Sequence, residues 1–553
     1  MKRASCTFFF IPLSVILLTQ WQICNASPTY SSSKFFIKIE TTNVDGAKLR
    51  VKPGDTLFVE SGRRDHLRLI NIHGDSLNYV TIINHNGLVE IDTETALFGI
   101  QIFDCSYFKF TGSGDQNLNY GIKINKTPAK SNGLSLDGLS TNYEIDHIEI
   151  AQTGFAGICA NPKPDCYNRY NRGSFEQRNT IYHDNYIHKT YGEGFYIGHS
   201  FYTGYTINCN GKDTLIYPHE IKGLRVYNNI LDSCGYDGIQ VGCATADCEI
   251  YGNRIINYGF KNEKNQNFGI IIGGGTTGKC YNNFILNGSG NGINVFGLGN
   301  NTIYNNIIVN PGHSVSDSVQ ANAAYGIFCD DRSTVEGTSF NFINNTIIAP
   351  TSDGIRFYST KSKNSLIANN LIVKPGSLGS YSTTNKSYVF YDNKVDLTVS
   401  NNYFSDNLPS TFNVENIDEI YQFCSGLPII NKGMEVSSFG INHDFNGGER
   451  VKDNQCDIGA FEFYYVEPEK QKSNSIKIIQ QNSQGELMIY STKNEKLERI
   501  NIYQLSGQLL YYQKPTSIDS SVINTKNLLN NGIYLVCVET QSEECKNKIY
   551  ISY

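Results

Sequence analysis

Between His183 and His199 the chain reads His-Asp-Asn-Tyr-Ile-His-Lys-Thr-Tyr-Gly-Glu-Gly-Phe-Tyr-Ile-Gly-His. That sets three of its ten histidines, one glutamate and three tyrosines within a single short stretch. Side chains of these types can exchange protons near neutral pH. Together they suit β-elimination at a uronic acid. That reaction needs a base for the proton alpha to the carboxylate, an acid for the leaving oxygen, and positive charge or a metal to hold the enolate-like intermediate. Tyr196 and His199 are the favoured acid/base pair, with His188 beside them. Arg356 or Lys163 could neutralise the substrate carboxylate, and arginine has the better bidentate geometry. Glu193 and Asp237 could instead hold Ca²⁺ through oxygen ligands. No organic cofactor is expected. Each assignment has a plainer counterpart. Glu193 and Asp237 both precede glycine and read equally as turn residues. His183 and His188 read as ordinary ladder or loop residues, and Tyr196 reads as a stacking platform for a sugar.

The elements that must position these groups are visible in two alternating phrases. One begins with glycine and alternates apolar and variable residues. Its members include Gly133-Leu-Ser-Leu-Asp137, Gly157-Ile-Cys-Ala-Asn161, Gly194-Phe-Tyr-Ile-Gly198, Gly238-Ile-Gln-Val-Gly242, Gly269-Ile-Ile-Ile-Gly273, Gly292-Ile-Asn-Val-Phe296, Gly326-Ile-Phe-Cys-Asp330 and Gly354-Ile-Arg-Phe-Tyr358. Each is a short strand by the period-two rule. The other phrase ends in asparagine, at positions 185, 229, 253, 283, 306, 345, 370 and 402. Asparagine tolerates left-handed backbone, and its amide can bond the equivalent residue above and below. The variable spacing of these asparagines points to coils of a solenoid with loop insertions, whereas a propeller or leucine-rich array would hold a fixed period. An ordinary β-sandwich has no reason to repeat both phrases in alternation. The expected fold is all-β: a right-handed parallel β-helix over 34–465, then a small C-terminal β-sandwich over 476–553.

In such a helix the first and third residues after each glycine face inward, so that Ile239, Ile270, Ile293, Ile327 and Ile355 form one interior column. The second and fourth face outward along one sheet. That outward set includes Ser135, Asp137, Cys159, Asn161, Tyr196, Gln240, Asn294, Asp330, Arg356 and Tyr358, with Glu193, Asp237, Asn291 and Asp353 at the rim. Amides, carboxylates and aromatic rings in a row suit an extended sugar chain. Asn161, Lys163, Gln240, Asn294, Asp330 and Tyr358 are the expected substrate-binding residues.

The rest of the chain bounds the setting. Net charge is −6, which argues against nucleic acid as a partner. Lys2 and Arg3, an apolar run and Cys24-Asn-Ala26 have the order of a signal peptide over 1–26, and no later stretch is apolar enough for a membrane span. Of fifteen cysteines, thirteen follow that segment. In an oxidising compartment the close pairs Cys159/Cys166, Cys243/Cys248 and Cys537/Cys545 read as local disulfides, or as thiols buried between coils. A charged linker, 466–475, precedes the final domain. No feature calls for an oligomer, and a monomer is expected.

Several segments also resemble known families. Val51-Lys-Pro-Gly-Asp-Thr56 resembles the first-coil signature of secreted β-helix enzymes. Asp444-Phe-Asn-Gly-Gly-Glu-Arg450 with Cys456-Asp-Ile-Gly-Ala-Phe-Glu462 resembles a closing segment of exported bacterial β-helix proteins. Ile500-Asn-Ile-Tyr-Gln-Leu-Ser-Gly507, Leu528-Leu-Asn-Asn-Gly-Ile-Tyr-Leu-Val536 and Lys548-Ile-Tyr-Ile551 resemble the C-terminal sorting domain of Bacteroidetes type IX secretion cargo. That resemblance implies outer-membrane secretion machinery as a partner and a secreted or cell-surface location. Residues 34–465 as a whole resemble secreted β-helix proteins that include many polysaccharide lyases. This implies an acidic polysaccharide, glycosaminoglycan or pectin-like, as substrate. The same solenoid also hosts glycoside hydrolases and noncatalytic glycan-binding proteins. Asp330-Asp331 is similar to the paired aspartates of β-helix glycosidases, but the other motifs of the pectin hydrolases are missing. The Lys/Arg pair and calcium ligands of the alginate and chondroitin B lyases do not map cleanly onto this chain.

Overall fold

The asparagine phrases become a single buried ladder. The side-chain Nδ2 of Asn185 donates to Oδ1 of Asn229 at 3.0 Å, and the pattern passes through Asn253, Asn283, Asn306, Asn345 and Asn370 to Asn402 at 2.9–3.0 Å per step. Before each of these from Asn229 on stands a left-handed residue: Asn228, Gly252, Asn282, Asn305, Asn344, Asn369 and Asn401, with φ of 51–64°. Only glycine and short polar side chains adopt that region cheaply. The pair thus makes a sharp bend, and its second asparagine ties that bend to the next coil.

The computed structural model describes residues 32–551, apart from 314–321, 378–386, 411, 414, 452–454, 464–475, 482–485, 494, 505–508, 516–519, 526–527, 530–531 and 541–543. The expected signal peptide, 1–26, and linker, 466–475, lie outside the described residues. The chain divides into two units, Met1–Phe463 and Tyr464–Tyr553. The first is a parallel β-helix. Each typical coil runs through a strand ending at the asparagine bend, a strand after it, and a glycine-led strand. The first two columns are joined by the long strands Thr56–Arg64 and Val80–Asp92 into one 23-stranded sheet, and the glycine-led strands form a 12-stranded sheet.

Every pairing in this 12-stranded sheet is parallel and in register. Ile239, Ile270, Ile293, Ile327 and Ile355 stack as neighbours, all fully buried. The leading glycines are required by closeness between coils. A Cβ on Gly292 would sit 2.7 Å from the Gly326 carbonyl oxygen and 2.4 Å from the Ile308 side chain, and Gly269 and Gly326 are equally crowded. On the outside of the first column, His183, Tyr227, Tyr251, Tyr281 and Tyr304 form a second ladder of parallel rings 4.7–4.9 Å apart.

Asp55 of the first-coil signature is buried and accepts from the backbone N–H of Ser33 and Lys52. The closing segment straps the outside of the asparagine bends. Arg450, fully buried, donates to Asn305 Oδ1 at 2.7 Å and to the Ala460 carbonyl at 2.6 Å. Asn344 Nδ2 donates to the Asp457 carbonyl at 2.8 Å. In the later pairs one asparagine therefore holds the neighbouring coil, while its left-handed partner (Asn305, Asn344, Asn369 or Asn401) holds the strap. The second unit is antiparallel: a three-stranded and a four-stranded sheet enclose a core with Leu487, Ile489, Ile500, Ile502, Val536 and Val538.

Asn306 sits mid-ladder with no exposed surface. Replacing it with alanine removes the oxygen that accepts from both the backbone N–H and the Nδ2 of Asn283, and takes one of two donors from Asn345 Oδ1, which keeps the backbone N–H of residue 306. Asn306→Ala should cost roughly 1–3 kcal/mol, read as a lower urea midpoint with unchanged secreted yield of folded protein. A midpoint equal to the parent's would mean that the ladder does not hold the bend.

Candidate active site on the glycine-led sheet

Side chains that leave the solenoid from the central position of each glycine-led strand fall in one file. From Arg68 it passes through Gln101, Ser135, Cys159, Tyr196, Gln240, Ile271, Asn294, Phe328 and Arg356 to Phe390, each paired with the next. Tyr196, Gln240 and Asn294 thus share one face. The long loop insertions flank this sheet. After Asn161 and after Gly198 the chain leaves the solenoid, and the second excursion includes the hairpin of Tyr205–Cys209 with Lys212–Ile216. A disulfide, Cys166–Cys209, links the two excursions. Arg172 packs flat on Tyr202, 4.0 Å from the ring centre, and contacts Tyr217. These loops stand beside Tyr196.

There the Tyr196 hydroxyl lies 3.0 Å from Ser200 Oγ, which also accepts from Gln240 Nε2 at 2.8 Å. Asn161 is a second hydrogen-bond partner of the phenol. Burial pushes the phenol up to about 12, so it keeps its proton at neutral pH. His199 stacks face to face on Tyr205, with ring centres 5.0 Å apart, and its Nδ1 accepts the Phe201 backbone N–H at 3.1 Å. The neutral ring therefore carries its proton on Nε2. Burial, helped by the charge of Lys163, pulls His199 down to about 4. Tyr196, Asn161, Ser200 and Gln240 are joined by hydrogen bonds, and His199, next to Ser200 in sequence, feels the charge of Lys163.

Other expected site residues lie elsewhere. A solenoid coil carries sequence neighbours around its perimeter, so the three histidines of the rich stretch separate. His183 faces out from the first column, and His188 from the second. His188 stacks on Tyr186 at 4.3 Å with Nε2 3.1 Å from Glu149, so it is not part of the Tyr196 site. Arg356 shares the file with Tyr196 but stands five coils away, roughly 24 Å at the interstrand spacing. It cannot serve a carboxylate bound at Tyr196. Its guanidinium is held by Asp353 at 2.6 Å and by the Tyr325 hydroxyl at 2.8 Å, over the rings of Tyr325 and Phe390. Asp330 is paired bidentately with Arg332, while Asp331 accepts from Thr360. Tyr358 packs edge-on against Phe328 and Phe390.

Glu193 and Asp237 stack as expected, but both are buried. Asp237 Oδ1 accepts the Phe268 N–H at 2.7 Å. Asn291 and Asp353 do the same for Tyr325 and Ser387 in later coils, so this position caps the rim of the next coil. Burial raises Glu193 to about 7 and Asp237 well above its ordinary value. Closed, proton-holding carboxyls are poor ligands for Ca²⁺. Among the described residues a metal-like spacing occurs instead at Glu144, Asp146 and His183, on the outer face of the first column. Lys109 already supplies a cation there, 2.7 Å from Glu144 and 3.0 Å from Asp146.

The suggested Cys159/Cys166 and Cys243/Cys248 bridges are replaced by Cys166–Cys209, with Cys159, Cys243 and Cys248 as free thiols. The side chain of Cys545 lies outside the described residues. Sequence reasoning also missed Ser200 and the aromatic group Phe296, Tyr325 and Phe328 further along the sheet. The unequal asparagine spacings were the available signal, because the longest interval, 44 residues from Asn185 to Asn229, contains Ser200 and the hairpin whose Tyr205 stacks on His199.

Comparison with known proteins places residues 205–395 in the right-handed β-helix region family and residues 483–552 in the family of secretion system C-terminal sorting domains. The sorting domain marks the chain for secretion to the cell surface or beyond. No helix among the described residues is long and apolar enough to cross a membrane. No curated protein sequence matches. Similar solved structures include a GH136 lacto-N-biosidase from Eubacterium ramulus (11% identity, 68% of each chain covered, TM-score 0.39). An alginate lyase from Paenibacillus sp. str. FPU-7 matches at 14% identity over 67% of this chain and 99% of that one, with a TM-score of 0.32. The A-module of a mannuronan C-5 epimerase from Azotobacter vinelandii matches at 13% over 63% and 91%, with a TM-score of 0.35. Likeness at this level does not extend to activity.

Two outcomes check this geometry. Non-reduced peptide mapping should recover Cys166 joined to Cys209, with Cys159 a free thiol and Cys243 and Cys248 alkylated only after unfolding; a Cys159–Cys166 peptide would overturn the loop arrangement. The fold also retains the Glu193 proton up to about pH 7, whereas the unfolded chain releases it near the ordinary carboxyl value. That contribution to stability is full below the unfolded value and is lost as pH rises through about 7. Glu193→Gln should match the parent near pH 4 and exceed it at pH 8 by up to about 3 kcal/mol, measured from denaturant midpoints. Equal midpoints at pH 8 would show that the carboxyl ionises in the fold without cost.

Proposed function

We propose that the protein is an exported enzyme that cleaves an acidic polysaccharide by β-elimination at a uronic acid, with Tyr196 as its proton carrier. The observation that carries this reading is the Tyr196 neighbourhood. A protonated phenol is oriented by Asn161 and Ser200 on a sheet face flanked by loops, and the residue before Ser200, His199, is a neutral imidazole under the influence of the Lys163 charge.

With a uronate over Tyr196, Lys163 and the Nε2–H of His199 face its carboxylate and offset the charge that develops as the alpha proton leaves. Tyr196, as phenolate, takes that proton. The electron pair forms the C=C bond as the C–O bond to the neighbouring sugar breaks, and the phenol returns the proton to the departing oxygen. His199 acts as a donor in this scheme, because the Phe201 amide occupies its other nitrogen. Calcium is not needed for these steps. A glycoside hydrolase would need two accessible carboxyls across the scissile bond, and the stacked pair on this face, Glu193 and Asp237, is enclosed.

Screening the secreted protein against glycosaminoglycans, pectins and alginate should yield unsaturated uronate ends, read by ultraviolet absorbance. New reducing ends without that absorbance would favour a hydrolase, and binding without product a noncatalytic glycan receptor. Tyr196→Phe should lose at least about 100-fold in kcat while still binding polymer. Because the phenol sits near 12 and His199 near 4, kcat/KM should climb steadily from pH 7 to pH 10. A profile that instead levels off above pH 7 would remove Tyr196 from the role of base.

A further inference from the structure

Three coils along the file from Tyr196, roughly 14 Å at the interstrand spacing, the same face deepens into a cavity of 420 Å³. Its floor holds Asn294 and Phe328, and one wall is built from loop residues Asn262, Lys264 and Asn322. Asn262 Oδ1 accepts from Asn267 Nδ2 at 3.1 Å and from Asn322 Nδ2 at 2.5 Å. The amide oxygen is thereby spent, and Asn262 has its Nδ2 left to offer. On the floor, Asn294 Oδ1 accepts from Asn291 Nδ2 at 2.8 Å, and Asn291 Oδ1 is used by the Tyr325 N–H. Asn294, 1% exposed, likewise has Nδ2 remaining. Arg332 lies flat on Phe296, 3.7 Å from the ring centre, with its charge met by Asp330. Lys264 is exposed, and no described carboxylate pairs with it or lines the cavity.

The lining groups not already engaged thus include the Nδ2 donors of Asn262 and Asn294 and the Lys264 ammonium, together with the amide oxygens of Asn265, Asn267 and Asn322, beside the rings of Phe328 and Tyr325, and the one unpaired charge among the described lining residues is positive. Such a lining selects a ring with an apolar face and an acceptor-rich anionic substituent. We infer that this cavity is a second binding site for an acidic sugar ring of the same polysaccharide, distinct from the Tyr196 site, which makes the substrate run along the solenoid across at least four coils. The inference rests on the proposed polysaccharide reading but not on elimination as the chemistry. Gln240 and Ile271 occupy the two coils between the sites. The chain would cross them without charged contacts from that file.

Affinity electrophoresis of the secreted protein through gels containing polygalacturonate, alginate or chondroitin sulfate, with neutral dextran as control, reads the site without any turnover. At least one acidic polymer should retard the parent, and dextran should not. Lys264→Glu, an exposed change that does not threaten folding, should weaken that binding about tenfold, and Asn294→Ala by at least as much. Tyr196→Phe should be retarded as the parent is. Retention unaltered in both cavity variants, or no retention by any acidic polymer, overturns the inference. The two proposals separate cleanly. Polymer retained through Lys264 and Asn294 with no unsaturated product sinks elimination and keeps the site. Product formed with unchanged KM in both variants keeps elimination and sinks the site.

Discussion

A parallel solenoid stands or falls on register between successive coils, because each coil has almost no contacts except with the coil above and the coil below. In this protein register is held by two columns of opposite character. The asparagine ladder, from Asn185 to Asn402, joins buried amides head to tail, and a one-residue slip would leave both donor and acceptor unpaired away from water. The glycine column does the complementary work by excluding side chains, since coil-to-coil contact at Gly269, Gly292 and Gly326 leaves no room for a Cβ. Between these two columns the isoleucines stack with no freedom of their own to slide.

Once register is held, each sheet position becomes a straight file of side chains at constant spacing, and insertions can only leave the solenoid at its corners. The chain uses that freedom unevenly. Excursions after Asn161 and Gly198, joined by Cys166–Cys209, stand beside Tyr196, and the loop bearing Asn262 and Lys264 walls the cavity over Asn294. The outer faces of the first two columns are spent differently. His183 heads a ladder of rings whose faces are buried against one another, and the closing strap through Arg450 covers the later bends. The glycine-led sheet is where the hydrogen-bonded group around Tyr196 and the cavity over Asn294 lie.

The rim residues before the glycines show how a repeated structural role can resemble a site. Asp237, Asn291 and Asp353 each accept a backbone N–H from the next coil, and aspartate or asparagine serves alike. Glu193 occupies the same position with a longer side chain and one buried oxygen that has no partner. Carboxyl type and stacking alone suggested calcium for Glu193 and Asp237. Their enclosure instead keeps the protons on.

Periodicity alone carried the fold, since alternation and the paired phrases depend only on which positions face in or out, and that is a local property of strands. Ile239 through Ile355, the asparagine ladder and the outward file of Tyr196, Gln240 and Asn294 were therefore legible in the amino-acid order. The C-terminal sorting unit was legible too, through Asn-Gly-Ile-Tyr-Leu-Val, whose alternation suits a strand of a sandwich core. What the order of residues could not decide was which chemically apt side chains would meet. His183, His188 and His199 are near in sequence yet leave the solenoid from different sides, because one coil turns the chain through a full circuit. Arg356 keeps the right face at the wrong coil, and Cys166 finds Cys209 across two loops in place of the nearer Cys159. Those outcomes belong to tertiary structure, since loop insertions have no period from which their three-dimensional neighbours could be read.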